Sequence, residues 1–227
     1  MKYKGIIFDL DGVICTTDEY HYLAWKKLAD CLGIPFDRSI NNRLRGVSRL
    51  ESLDIILEKS QKQYTHEEKL AFAEEKNQLY RQLLAEMSQQ NLSDEVRTTL
   101  NALRGPNLKL AIGSSSKNTP FILERIGLSH FFDAVADGNS ITYSKPHPEV
   151  FLKAADMIDL EPVDCLVVED AHAGVEAAVS GGFDCAAIGD AKDDERAKWH
   201  LSSFSDLLDI LNSKKNAEGT SCLSASF

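Results

Sequence analysis

The stretch Gly5-Ile6-Ile7-Phe8-Asp9-Leu10-Asp11-Gly12-Val13 decides how the rest of the chain is read. A short apolar run stops at two carboxylates spaced i, i+2, and Gly12 then lets the backbone turn with no side chain in the way. The run predicts a buried strand. In an open parallel sheet ligands bind just beyond the strand ends, so Asp9 and Asp11 are expected where a substrate reaches them. Taken alone, the same letters also describe a strand entering an ordinary Asp-Gly turn. The later loops separate the two readings.

Composition sets the outer bounds. The 227 residues, 43% hydrophobic and 26% charged, suffice for one large domain or two small ones and suggest neither a disordered nor a membrane protein. A balance of 25 Lys+Arg against 35 Asp+Glu gives a net charge of −10, a field that repels nucleic acid. An anionic substrate therefore needs locally concentrated positive charge. The five cysteines, Cys15, Cys31, Cys165, Cys185 and Cys222, form no CxxC pair and fit a reducing compartment. The apolar run after the basic start is broken by Asp9 and Asp11, too early for a signal sequence, and nothing approaches membrane-spanning length. A cytoplasmic protein is expected.

From about residue 18 to residue 90 the periodicity is helical. Tyr22, Trp25, Leu28, Ala29 and Leu32 make one stripe, closed by Gly33 and Pro35. Ser48-Arg49-Leu50-Glu51 has capping-box spacing and opens a helix with Leu50, Leu53, Ile56 and Leu57 facing inward. Thr65-His66-Glu67-Glu68 repeats the signal before a long helix whose Ala73, Tyr80, Leu84 and Met87 share a face. After residue 93 strands and helices alternate. Strands are expected at Leu108–Ile112, about 134–136, Cys165–Val168 and Phe183–Ile188, the last closing the series, with Asn118 capping a helix through Arg125. The reading is α/β: a doubly wound, Rossmann-like parallel-sheet core of residues 1–15 and 93–215, with an inserted helical cap at 16–92 and a flexible tail at 216–227.

Four strand-end loops then offer chemistry. They carry Asp9 and Asp11; Ser114, Ser115, Ser116, Lys117 and Asn118; Lys145-Pro146; and Glu169-Asp170. Each has an ordinary structural explanation, but all four at one end of one sheet form a crevice. Asp9, Glu169 and Asp170 would repel one another unless a cation sat among them, and hard oxygen donors suit Mg²⁺. Asp9, Asp11, Glu169 and Asp170 are the candidate metal ligands. Lys145 beside the hydroxyl-rich loop makes a phosphate pocket. Asp9 is then placed as a covalent nucleophile and Asp11 as general acid and base.

At this point the ordered set Asp9-Leu10-Asp11-Gly12-Val13, Ser114, Lys145 and Glu169-Asp170 resembles the four motifs of the haloacid dehalogenase-like superfamily of phosphotransferases. The resemblance implies an aspartyl phosphate on Asp9, acid–base work by Asp11, a phosphate held by Ser114 and Lys145, and a mobile cap. Glu19-Tyr20-His21, Trp25, Arg45-Gly46-Val47-Ser48-Arg49, Lys76-Asn77 and the segment Ser114 to Asn118 look like the branch of that superfamily that interconverts β-glucose 1-phosphate and glucose 6-phosphate. That likeness implies Mg²⁺, glucose 1,6-bisphosphate as activating intermediate, a small sugar phosphate as partner, and a monomer. Arg49 with Ser116, Lys117 and Asn118 would grip the distal phosphate. His21 would orient Asp11, Lys76 and the loop Gly46-Val47-Ser48 would touch the sugar, Thr17 would keep a hinge hydroxyl, and Trp25 would be a substrate wall or packing. Arg45 departs from the family's lysine, and Thr16 from a common aspartate. A Mg²⁺-dependent sugar-phosphate phosphatase and a silent binding protein are the alternatives, the former differing only in its acceptor, water.

Overall fold

The opening run is strand β1 (Gly5–Phe8), and all four of its residues are buried. Successive side chains alternate, so Ile6 and Phe8 enter one apolar layer and Ile7 the other. The computed structural model describes residues 2–212. The tail expected at 216–227 lies outside the described residues. After β1 come α1 (Asp18–Leu32), α2 (Arg38–Asn42), α3 (Arg49–Leu57) and α4 (His66–Leu84), with no strand among them. The alternating part follows: α5 (Asp94–Leu103), β2 (Lys109–Gly113), α6 (Thr119–Arg125), β3 (Ala134–Ala136), α7 (Glu149–Met157), β4 (Cys165–Glu169), α8 (His172–Ser180), β5 (Asp184–Ala187), β6 (Trp199–His200) and α9 (Asp206–Asn212). None of the described helices is long and apolar enough to cross a membrane.

The six strands form one parallel sheet in the order β3-β2-β1-β4-β5-β6. Phe8 is in register with Ile112 of β2 and Val168 of β4. The residues just past those positions, Asp9, Ser114 and Glu169 with Asp170, therefore emerge together. The chain reverses its direction of travel across the sheet at β1, and the carboxyl edge there is where open α/β sheets bind ligands.

Three apolar cores hold this arrangement. Ile6, Phe8, Leu110, Ile112, Leu166 and Val168 sit in one layer, and Ile7, Ala111, Val167, Cys185 and Ala187 in the layer across the sheet. The third comprises Trp25, Leu28, Ala29, Ile34, Phe36, Leu44, Leu53, Ile56 and Ala73, all from the segment between β1 and β2. The helical insertion thus buries a core of its own. The expected α4 stripe is divided between cores: Ala73 belongs to the insertion, whereas Tyr80, Leu84 and Met87 pack with β1. Both expected capping boxes form, Ser48 with Glu51 and Thr65 with Glu68.

Three local expectations are corrected. The sheet does not close at the fifth strand, because Trp199 and His200 add a sixth, two residues being too few to leave a periodic signal. Leu50 is 36% exposed, since α3 turns Ser52, Leu53 and Ile56 inward and leaves its first turn at the rim of a cavity. Asn118 occupies the N-cap position of α6 but makes no side-chain cap bond; its amide is committed elsewhere.

The start of α8, just after Glu169-Asp170, is anchored by Asp194. This buried carboxylate accepts from Arg196 Nη2 at 2.6 Å and Nε at 2.9 Å, and faces His172 Nδ1 at 2.7 Å. The Arg196 hydrogen bonds, joined by His172, hold its carboxyl well below the usual carboxylate range. A depressed folded-state value means stability present at neutral pH and lost as pH falls. Asp194→Asn is therefore expected to lower the urea midpoint by a constant amount above about pH 5, the gap narrowing below about pH 4, where the unfolded carboxyl takes up its proton. A gap independent of pH would mean that the charge of Asp194 contributes nothing.

Candidate active site

Asp9, directly beyond β1, is 6% exposed and has its main chain tied to Val168 of β4 at 2.9 Å. Lys145 Nζ donates to Asp9 Oδ1 at 2.5 Å and to Glu169 Oε2 at 2.7 Å. The lysine is buried and its ammonium lies 4.6 Å from the centroid of the Phe151 ring. Burial alone would favour the neutral amine, but Asp9 and Glu169 outweigh it and raise the Lys145 pKa. The second oxygen of Glu169 accepts from the N–H groups of Asp170 and Ala171 at 3.1 and 3.0 Å, which fixes the turn into α8.

Asp9, Glu169 and Asp170 each present an oxygen within 4.8 Å of the others. Burial raises the pKa of both Glu169 and Asp170 despite Lys145, helped by Asp9 at Glu169 and by Glu169 and Asp9 at Asp170. One ammonium among three crowded carboxylates leaves excess negative charge in a confined space. That donor set, all hard oxygens, fits a divalent cation such as Mg²⁺. The carboxylate of Asp11, also anticipated as a ligand, is not in this group. Its partner is the Thr17 hydroxyl, which in turn accepts from Tyr80 OH at 3.1 Å. Burial, with Asp9 nearby, pushes the Asp11 carboxyl up to about 7, in the range where a group both gives and takes protons at neutral pH.

Two glycines are steric conditions of this site. At Gly12, with φ +84°, a Cβ would lie 1.9 Å from Asp170 Oδ2. At Gly174, on α8, it would lie 2.0 Å from the Glu169 Cδ.

The insertion closes over these groups and leaves a cavity of about 1120 Å³. Every residue expected at the site lines it except Glu169, which lies beneath the surface. In the rim loop Ser116 N–H donates to Ser114 Oγ and Asn118 N–H to Ser116 Oγ, each at 3.2 Å. The Ser115 hydroxyl is buried without a partner, a donor free for an anion. From the insertion, buried Lys76 lies 2.9 Å from His21 Nδ1 and over the rings of Trp25 and Tyr80, at 4.6 and 4.3 Å. Burial pushes both Lys76 and His21 down, and Arg49 adds repulsion. Trp25 therefore both packs the insertion core and walls the cavity. Ser48 lines the cavity but its hydroxyl accepts the Glu51 N–H at 3.3 Å.

Two clasps join the insertion to the core. Arg45 donates to Asp18 at 2.9 Å and to Asp190, which follows β5, while Gly46 and Val47 continue the same wall. Arg49 Nη2 and Asn118 Nδ2 both donate to Asn77 Oδ1, at 2.8 and 3.0 Å, and Arg81 reaches Asn118 Oδ1 at 3.3 Å. Sequence reasoning assigned no role to Asp18, Arg81 or Asp190, quoted Asn77 only within the resemblance, and read Tyr80 only as part of a helix face. Tyr80 carried a usable signal, one helical turn beyond Lys76. Asp190 carried a positional one, at the carboxyl edge beyond β5.

An aspartate directly beyond β1, a buried lysine and a carboxylate cluster at the sheet's carboxyl edge, beneath a helical insertion, define a phosphotransferase-type site. Residues 3–182 match the model of the haloacid dehalogenase-like hydrolases, and the chain belongs to that family. It is 40% identical over 212 residues to a β-phosphoglucomutase of Bacillus subtilis, covering 92% of this chain and 94% of that protein. The crystal structure of a β-phosphoglucomutase from Clostridium difficile matches with a TM-score of 0.88 at 37% identity, over 95% of this chain and 98% of the other. A phosphorylated carbohydrates phosphatase of Thermotoga maritima is 30% identical over 184 residues, 80% of this chain and 82% of that protein.

The Glu169–Gly174 contact generates a prediction. Gly174→Ala should destabilise the protein by about 1–3 kcal/mol, the usual cost of overpacking. Urea unfolding would read it, and the loss should be strongly non-additive with Glu169→Ala, which removes the obstructing atoms. Additive losses would place the strain elsewhere.

Proposed function

We propose that this protein is a β-phosphoglucomutase, interconverting β-glucose 1-phosphate and glucose 6-phosphate through a 1,6-bisphosphate. The observation that carries the reading is the presence of two anion grips in one cavity. One is Lys145 with the Ser114 loop beside Asp9; the other is Arg49 with Asn118, brought together by Asn77. A hydrolase needs only the first. A mutase needs both, so that either end of a bisphosphate can face the nucleophile. The relatives named β-phosphoglucomutase support the same reading.

In the proposed cycle the Asp9 carboxylate attacks phosphorus and becomes an aspartyl phosphate while the sugar oxygen leaves. Asp11, tuned to about 7, protonates that oxygen and later takes the proton of the acceptor hydroxyl. Lys145 and Ser115 bind phosphoryl oxygens, and Lys145 holds Asp9 in line. A Mg²⁺ held by Asp9, Glu169 and Asp170 would supply positive charge to the transferring group. His21 and Lys76 face the sugar from the insertion, with Gly46, Val47 and Ser48 along its edge. Residues 16–92 act as a cap on 1–15 and 93–215, with Thr17 at the hinge, and closure excludes water from the phosphoenzyme. A monomer is the proposed working unit, since the cap must move freely over the core.

With Mg²⁺, β-glucose 1-phosphate and a trace of glucose 1,6-bisphosphate, the purified protein is expected to yield many equivalents of glucose 6-phosphate and little free phosphate. Asp9→Asn should abolish this turnover while leaving the fold intact. Glucose and free phosphate as the main products would instead make the protein a sugar-phosphate phosphatase.

A further inference from the structure

Asn77 lies on α4, one residue beyond Lys76, and nothing in the reaction above employs it chemically. Its side-chain oxygen nevertheless receives two donors from opposite walls of the cavity: Arg49 Nη2 from the insertion at 2.8 Å, and Asn118 Nδ2 from the core at 3.0 Å. Both donors belong to the distal phosphate grip, so this inference rests on the mutase reading. We propose that Asn77 is the positioning residue of that grip. Its neutral oxygen holds Arg49 and Asn118 on a common point until a phosphate oxygen displaces it.

Three features support the assignment. First, Arg49 has a competing partner, the exposed carboxylate of Glu74, at 3.7 Å. Without the Asn77 oxygen, Glu74 is the partner left to the guanidinium among the described residues. Second, Asn118 stands at the N-cap position of α6 yet makes no cap bond. Its amide is spent instead on Asn77 and on Arg81, so the local preference of asparagine gives way to the bridge. Third, an amide oxygen accepts from Arg49 without cancelling its charge. An anionic phosphate oxygen makes stronger, charge-assisted bonds to the same donors and replaces it. The grip is thus assembled before the ligand arrives, and part of the ordering cost of binding is already met.

The test uses Asn77→Ala and Asn77→Asp. Glucose 6-phosphate formation from β-glucose 1-phosphate is measured over a range of glucose 1,6-bisphosphate concentrations. Phosphate release from acetyl phosphate, a substrate with no distal phosphate, is measured alongside. Asn77→Ala is expected to raise the half-saturating bisphosphate concentration roughly 10- to 100-fold, the range for one hydrogen bond to a charged group. Asn77→Asp keeps the shape and the acceptor but pairs with Arg49 and opposes the incoming phosphate, so its increase should be larger. The rate at saturation and acetyl phosphate hydrolysis should change far less. Wild-type behaviour of Asn77→Ala, wild-type behaviour of Asn77→Asp, or an equal fall in both reactions would each overturn the assignment. A wild-type protein indifferent to the bisphosphate would overturn the mutase reading itself, whatever the variants do.

Discussion

The contact on which the site depends is the buried ammonium of Lys145 between Asp9 and Glu169. Breaking one side of a buried pair typically costs about 3–5 kcal/mol, because a charge is left behind with neither water nor partner. The sheet makes the contact possible. Register between β1 and β4 brings Asp9 beside Glu169, and Lys145 arrives from beyond β3 over the Phe151 ring. Glu169 carries a double load, since its other oxygen caps the turn into α8. Gly174 is the steric condition for that placement.

The core wall of the cavity carries an excess of carboxylates. Around Lys145 the carboxylates of Asp9, Glu169 and Asp170 outnumber its one ammonium, and burial drives the pKa values of Glu169 and Asp170 up. On the insertion side Lys76 and Arg49 repel each other, and Lys76 has two aromatic rings and His21 around it. In the proposed function a divalent cation would relieve the carboxylate excess, and an anionic sugar phosphate would sit between Lys76 and Arg49.

The contacts around Thr17 tie the proposed proton chemistry to the insertion. Tyr80 donates to Thr17 and Thr17 to Asp11, so the group proposed as acid and base is held from the insertion side. Thr17 gives up the cap bond of α1 to do so. Asn118 makes the same exchange at α6. In both cases a residue whose local preference is to cap a helix serves a contact between segments distant in the chain. Such exchanges mark positions where function overrides local propensity.

The sequence by itself determined the α/β alternation, the helical insertion and the residues at the strand ends. Those signals are local: a period of two or 3.6, a capping box, an apolar run that stops at a carboxylate. Asp9, Asp11, Ser114, Lys145, Glu169 and Asp170 were legible because each follows, or nearly follows, a recognisable strand. Only the tertiary structure decided how they are partnered. It gave Lys145 to Asp9 and Glu169, separated Asp11 from the carboxylate cluster, divided the α4 stripe between two cores and left Leu50 at the rim. It also paired Asn77, Asp18 and Asp190 with arginines 28, 27 and 145 residues away along the chain. No periodicity encodes such a pairing, because which polar groups meet depends on how whole elements pack, and that is settled by the burial of their apolar faces.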